Sequence, residues 1–105
     1  MASTAPRPSA EASSQGSSLA RELRLLDTAR SALGRGDIAA VLATLDRYER
    51  AFPGGKLRTE GAMLRVDALL ARGDVMAARA LARDLLSRDP SGPHARRLRT
   101  LLENP

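Results

Sequence analysis

The dipeptide Gly-Asp stands at positions 36 and 37 and again at 73 and 74, and in each case a proline follows 17 residues after the glycine, at Pro53 and Pro90. Both landmarks recur at an offset of 37 residues. The same offset superimposes Leu33 on Leu70, Ala40 on Ala77, Ala43 on Ala80 and Tyr48 on Leu85. Self-similarity at this period means a chain built from supersecondary units, each of which needs its neighbour to bury an apolar face.

Hydrophobic spacing says what the unit is. A helix is predicted from a cap at Ser17 or Ser18 to about Leu33, with Leu19, Leu23, Leu26, Ala29 and Leu33 on one face. Gly34 follows as a left-handed stop. Asp37 caps a second helix, whose stripe is Ile38, Val41, Leu42, Leu45, Tyr48 and Phe52 and which Pro53 ends. After the turn at Gly54, Gly55 and Lys56, a third helix covers about Leu57 to Arg72, with Met63, Val66, Leu69 and Leu70 inward. Gly73 stops it. Asp74 caps a fourth helix carrying Val75, Ala78, Leu81, Ala82 and Leu85, and Pro90 ends that one. A fifth opens at Pro93 and turns Ala95, Leu98, Leu101 and Leu102 inward. No segment alternates with period two, so the fold class is all-α. Alanines at matched positions let antiparallel helices approach closely.

Ahead of these helices, residues 1–18 contain no aliphatic side chain larger than Ala beyond Met1. Such a stretch cannot offset its ordering entropy and reads as a disordered tail, leaving residues 19–103 as the single domain. It has no apolar core and one basic residue, Arg7, and so does not resemble a secretory signal. The longest strictly apolar run, Ile38–Ala43, is far below the ~20 residues of a membrane span. The chain as written is expected in the cytoplasm.

The Gly-Asp turn, the small residue five positions after the glycine (Ala78 in the second unit, Val41 in the first) and the proline at 17 resemble the tetratricopeptide repeat. The family's large hydrophobe nine after the glycine is Leu45 in the first unit and Ala82 in the second. This repeat is three residues longer than the family's usual length, and the extra residues fall between Pro53 and Leu57. The joints Arg50-Ala51-Phe52-Pro53-Gly54-Gly55 and Arg88-Asp89-Pro90-Ser91-Gly92-Pro93-His94-Ala95 are similar to those of bacterial envelope tetratricopeptide domains, as in outer-membrane assembly lipoproteins and periplasmic cell-division coordinators. The resemblance covers residues 19–103. It implies a short α-solenoid of two stacked hairpins with the fifth helix as cap, and a cell-envelope location if the chain is the tail of a longer envelope protein.

Residue content excludes most chemistry. There is no cysteine, a single histidine (His94) and only two aromatics, Tyr48 and Phe52. Thiolate catalysis, cysteine-built zinc sites, histidine pairs on a metal and aromatic stacking platforms are therefore ruled out. Gly54-Gly55-Lys56 fails the phosphate-loop pattern, which needs Gly where Arg50 stands and Ser or Thr where Leu57 stands. Asp89, Ser91 and His94 crowd one proline-broken joint and cannot converge as a triad. His94 reads as a first-turn surface residue. Asp46 with Arg50, and Asp84 with Arg88, read as surface ion pairs at i, i+4. Met63 and Met76 read as core filler. No enzyme and no cofactor is expected.

Stacked hairpins present a concave face to extended peptides or helices. The expected function is thus a non-catalytic interaction module. Repeat register makes Arg24, Thr28 and Arg35 in the first unit, and Gly61, Arg65 and Arg72 in the second, the groove residues. With 17 basic against 12 acidic residues, net charge +5, the groove suits an acidic protein partner. A homo-oligomerisation domain is the alternative. Nucleic-acid binding through Arg96, Arg97 and Arg99 is a third reading, which the lack of aromatics and the packing of Leu98, Leu101 and Leu102 oppose. No small-molecule substrate or membrane insertion is expected.

Overall fold

The computed structural model describes the backbone of residues 6–103 and the side chains of residues 16–103. Five helices follow one another: α1 Pro6–Gly34, α2 Ile38–Ala51, α3 Arg58–Ala71, α4 Val75–Arg88 and α5 Ala95–Glu103. No strand occurs among the described residues. The fold is all-α, and α2, α3 and α4 lie where the glycines, aspartates and prolines place them.

The two Gly-Asp turns have the same geometry. Gly36 and Gly73 adopt φ of 76° and 83°, the left-handed conformation that a Cβ would strain. The Gly36 amide donates to the Leu33 carbonyl and the Asp37 amide to Ala32, as Gly73 donates to Leu70 and Asp74 to Leu69. This pairing closes the helix end on its last carbonyls. Each aspartate then caps the next helix, Asp37 Oδ1 accepting from the Ala40 amide at 3.2 Å and Asp74 Oδ1 from Ala77 at 3.3 Å. The left-handed stop of α1 is thus Gly36 rather than Gly34, which is the last helical residue. At the other ends, Phe52 donates its amide to Tyr48 and Asp89 to Leu85, and the prolines that follow have no amide with which to continue the helix.

Packing forms two cores that share α3. Leu26, Ala29 and Ala32 of α1 meet Val41, Leu45 and Tyr48 of α2 and Leu64 and Ala68 of α3. On the opposite side of α3, Met63 packs with Ala82 and Leu98, and Val66 and Leu69 pack with Ala78. Each helix packs on the next in the chain, and α1 also reaches α3. The result is elongated, with extents of 66 × 31 × 19 Å.

Five expectations change here. The inward stripe of α1 is rotated: Leu19 and Leu23 are exposed, while Glu22 and Ala32 are buried. The short side chains of Ala29 and Ala32 admit Val41 and Leu45, and this turns the two leucines to the flank. Ala43 and Ala80 are exposed, so close helix approach depends on Ala29, Ala32, Ala68, Ala78 and Ala82 instead. Val75, expected on the inward stripe of α4, is exposed, as is Met76 at 79% beside it in the first turn, whereas Met63 is in the core. Finally, α1 begins well ahead of Ser17 and Ser18, at Pro6. Pro6 and Pro8 sit in its first turn, where amides have no intrahelical acceptor and their absence costs no bond. Of the stretch read as a tail, residues 1–5 lie outside the described residues.

Candidate partner-binding surface

The six residues selected by repeat register do not share one surface. Arg24 and Thr28 are exposed on the side of α1 turned away from the core, Arg35 is exposed in the turn after it, and Thr28 donates its hydroxyl to the Arg24 carbonyl at 2.9 Å. Gly61 is buried, with Tyr48 and Leu26 where its Cβ would point. Arg65 reaches from α3 to α2, its guanidinium 2.8 Å from Asp46 and 3.1 Å from Glu49. Asp46 therefore pairs across helices with Arg65 rather than along its own helix with Arg50. Arg72 is exposed beside Asp74, at 3.4 Å. An offset of 37 aligns the turns well, but Arg24 and Gly61 then fall on opposite sides of their helices.

Glu22 was not singled out by the sequence, yet it is the most buried charged group described, 4% exposed. Its Oε1 accepts the Tyr48 hydroxyl at 2.6 Å and the Leu57 amide at 3.0 Å. Burial pushes the Glu22 carboxyl up, but the bonds from Tyr48 and from the Leu57 and Lys56 amides, with the Lys56 charge, outweigh burial and hold it below its ordinary value. Burial and the adjacent carboxylate together hold the Tyr48 phenol well above its own. Leu57 is the N-cap of α3 and offers no side-chain cap, so a carboxylate from α1 occupies the positive end of that helix. Gly55 makes this possible: a Cβ there would stand 2.5 Å from Glu22 Oε1 and 2.7 Å from the Tyr48 hydroxyl. The Gly54-Gly55-Lys56 turn thus wraps over a carboxylate. The available signal was spacing: Glu22 is four before Leu26 and seven before Ala29, on the buried face.

A row of charge joins α3 to α5. His94 Nε2 lies 3.4 Å from Glu60 Oε2, and Arg97 pairs with Asp67. His94 is therefore tied to α3 and only partly exposed, not free at the surface. Arg99 donates to the Pro90 carbonyl, and Asp84 and Arg88 form their expected pair at 3.2 Å. Beside this row, at the turn end of α3 and α4, lies an open groove of about 660 Å³ between Leu70, Val75, Leu101 and three arginines, Arg79, Arg96 and Arg97.

Among the described residues, no three His, Asp or Glu side chains gather as a metal site would require, and no helix is long and apolar enough to cross a membrane. No protein-family model, curated protein or solved structure matches the chain.

Proposed function

We propose that this chain is a non-catalytic, tetratricopeptide-like stack of helical hairpins that binds a polypeptide partner of acidic character. The observation that carries the reading is the register between odd-numbered helices. Glu22 meets Leu57 and Leu26 meets Gly61 between α1 and α3. Glu60 meets His94 and Asp67 meets Arg97 between α3 and α5. In both pairs the residue numbers rise together, so neighbouring odd helices run parallel, as first helices of stacked hairpins do. Such stacks use the face of their first helices for extended or helical peptides. The arginine excess makes acidic sequences the favoured partners.

The test is affinity capture from the native host, identification of what is retained, and titration of the purified partner against the purified chain. A saturable one-to-one complex that weakens with salt is expected, because exposed charge pairs are screened beyond ~8–10 Å at 0.1–0.15 M. Repeated failure to recover any polypeptide that rebinds would sink the reading. One observation favours homo-oligomerisation instead, namely the exposed Leu19 and Leu23 on the flank of α1. In that case sedimentation equilibrium shows a mass that rises with concentration, and Leu23→Asp returns it to monomer.

A further inference from the structure

We infer that the groove at the turn end of α3, α4 and α5 is the docking site for an acidic amphipathic segment of a partner protein, one that inserts aliphatic side chains and brackets them with carboxylates. The inference rests on the polypeptide-binding reading and gives it a place and a partner chemistry.

Three features converge there. First, the groove has an apolar lining from three helices: Leu70 at the end of α3, Val75 at the start of α4 and Leu101 near the end of α5 all line it. Val75 is 45% exposed and Met76 beside it 79% exposed, an unusual concentration of bare aliphatic surface for a first helical turn. About 660 Å³ is within the ~300–1,000 Å³ typical of ligand-sized concavities and has room for several aliphatic side chains.

Second, among the described residues every charged group lining the groove is an arginine. Arg79 is anchored by the carbonyls of Leu101 and Leu102, at 3.3 and 2.8 Å, which close the C-terminal end of α5 and hold the guanidinium at the groove. Arg97 shares its charge with Asp67. Arg96 has no ion-pair partner among the described residues. Among the described residues no carboxylate lines the groove, so the field of its lining is cationic and the complement is anionic.

Third, the same charge argues against a second copy of this chain. The chain's other bare leucines, Leu19 and Leu23, are interleaved with the exposed Arg21 and Arg24. Seating that strip in an arginine-lined groove sets like charges against each other. A partner with leucines and glutamates on one helical face meets both demands at once.

The test uses the full chain and a labelled helical peptide of roughly four turns, with leucines on one face and glutamates along its borders. Fluorescence anisotropy should show saturable binding, at least about tenfold weaker when lysines replace the glutamates or serines replace the leucines. Val75→Asp and Arg96→Glu, both at exposed positions and checked by circular dichroism, should each weaken binding by a similar factor. Arg24→Glu on α1 and Arg35→Glu in the turn after it should not. Loss of binding in the Arg24 and Arg35 variants with retention in Val75→Asp would overturn the groove while leaving the polypeptide-binding reading intact. Failure of the acid-bordered peptide to bind at all overturns the inference, and the broader reading then stands or falls by its own capture experiment. Equal or stronger binding to phosphatidylglycerol vesicles, to dodecanoate or to duplex RNA, abolished by the same two variants, also overturns it. So does self-association that Val75→Asp abolishes.

Discussion

Glu22 ties three segments of the chain at a single oxygen: α1 through its own backbone, α2 through Tyr48 and the start of α3 through Leu57. Tyr48→Phe removes the shorter of these bonds from a buried carboxylate, and a loss of about 1–3 kcal/mol is expected in chemical denaturation. Glu22→Gln keeps an acceptor but removes the charge, which makes it the variant for reading pH. The folded carboxyl ionises below its unfolded value, so its contribution is complete above roughly pH 5 and is lost as pH falls through the folded pKa. The Tm gap between wild type and Glu22→Gln should therefore be widest at neutral pH and close in acid. A gap that stays constant down to pH ~3 would show that the carboxyl ionises no more easily in the folded state than in the unfolded. Leu45, 1% exposed between Leu26 and Leu64, is the plain packing counterpart. Leu45→Ala should cost about 2–5 kcal/mol, a large share of the ~5–10 kcal/mol that a domain this size holds.

Within the elements, the two Gly-Asp turns form a natural duplicate experiment. Gly36 and Gly73 have the same backbone conformation, and Asp37 and Asp74 cap with the same bond. Gly73→Ala should destabilise by about 1–2 kcal/mol through left-handed strain, and Gly36→Ala by a similar amount. Asp74→Ala and Asp37→Ala should each cost about 0.5–2 kcal/mol. Thermal melts of the four variants check this, and a marked asymmetry would mean that tertiary contacts, not turn geometry, set the cost. The N-terminal end of α1 is a contrasting case. No residue before Glu22 belongs to the buried core among the described side chains. Deleting residues 1–15 should leave the Tm within about 2–3 °C of wild type.

At the scale of the molecule, the two cores are joined through α3, which contributes residues to both. Leu26, Val41 and Tyr48 belong to one buried cluster, and Met63, Ala82 and Leu98 to another. Stability should therefore behave as a chain of neighbour interactions rather than as one indivisible core. Leu98→Ala should open α4 and α5 first, and amide exchange should accelerate there while α1 and α2 keep their protection. Uniform acceleration across all five helices would show a single cooperative unit. Among the described residues, bare aliphatic surface collects at Val75 and Met76 in the first turn of α4.

Much of this is legible in the sequence. Helix punctuation needs only local chemistry: glycine for a left-handed turn, aspartate for free amides, proline for a stop. These act within a few residues, so α2, α3, α4 and α5 could be placed from sequence to within a residue or two. The inward face of α2 was equally plain, because Val41, Leu45 and Tyr48 sit on one apolar stripe, whereas on α3 the stripe showed Met63, Val66 and Leu69 but not Leu64 and Ala68, which are buried against α1 and α2. The face of α1 was not plain. Leucines at 19 and 23 competed with alanines at 29 and 32, and which of these was buried depended on how near α2 could come. The candidate surface was least legible. Repeat register aligned Arg24 with Gly61, but side-chain direction changes by about 100° per residue along a helix, and only packing decided that one is exposed and the other lies beneath Tyr48. The Glu22 junction joins residues 26 and 35 positions apart, and the arginine-lined groove draws on three helices. Sequence determined the elements because their causes are local; tertiary structure alone decided the sites, because each is assembled from residues that only packing brings together.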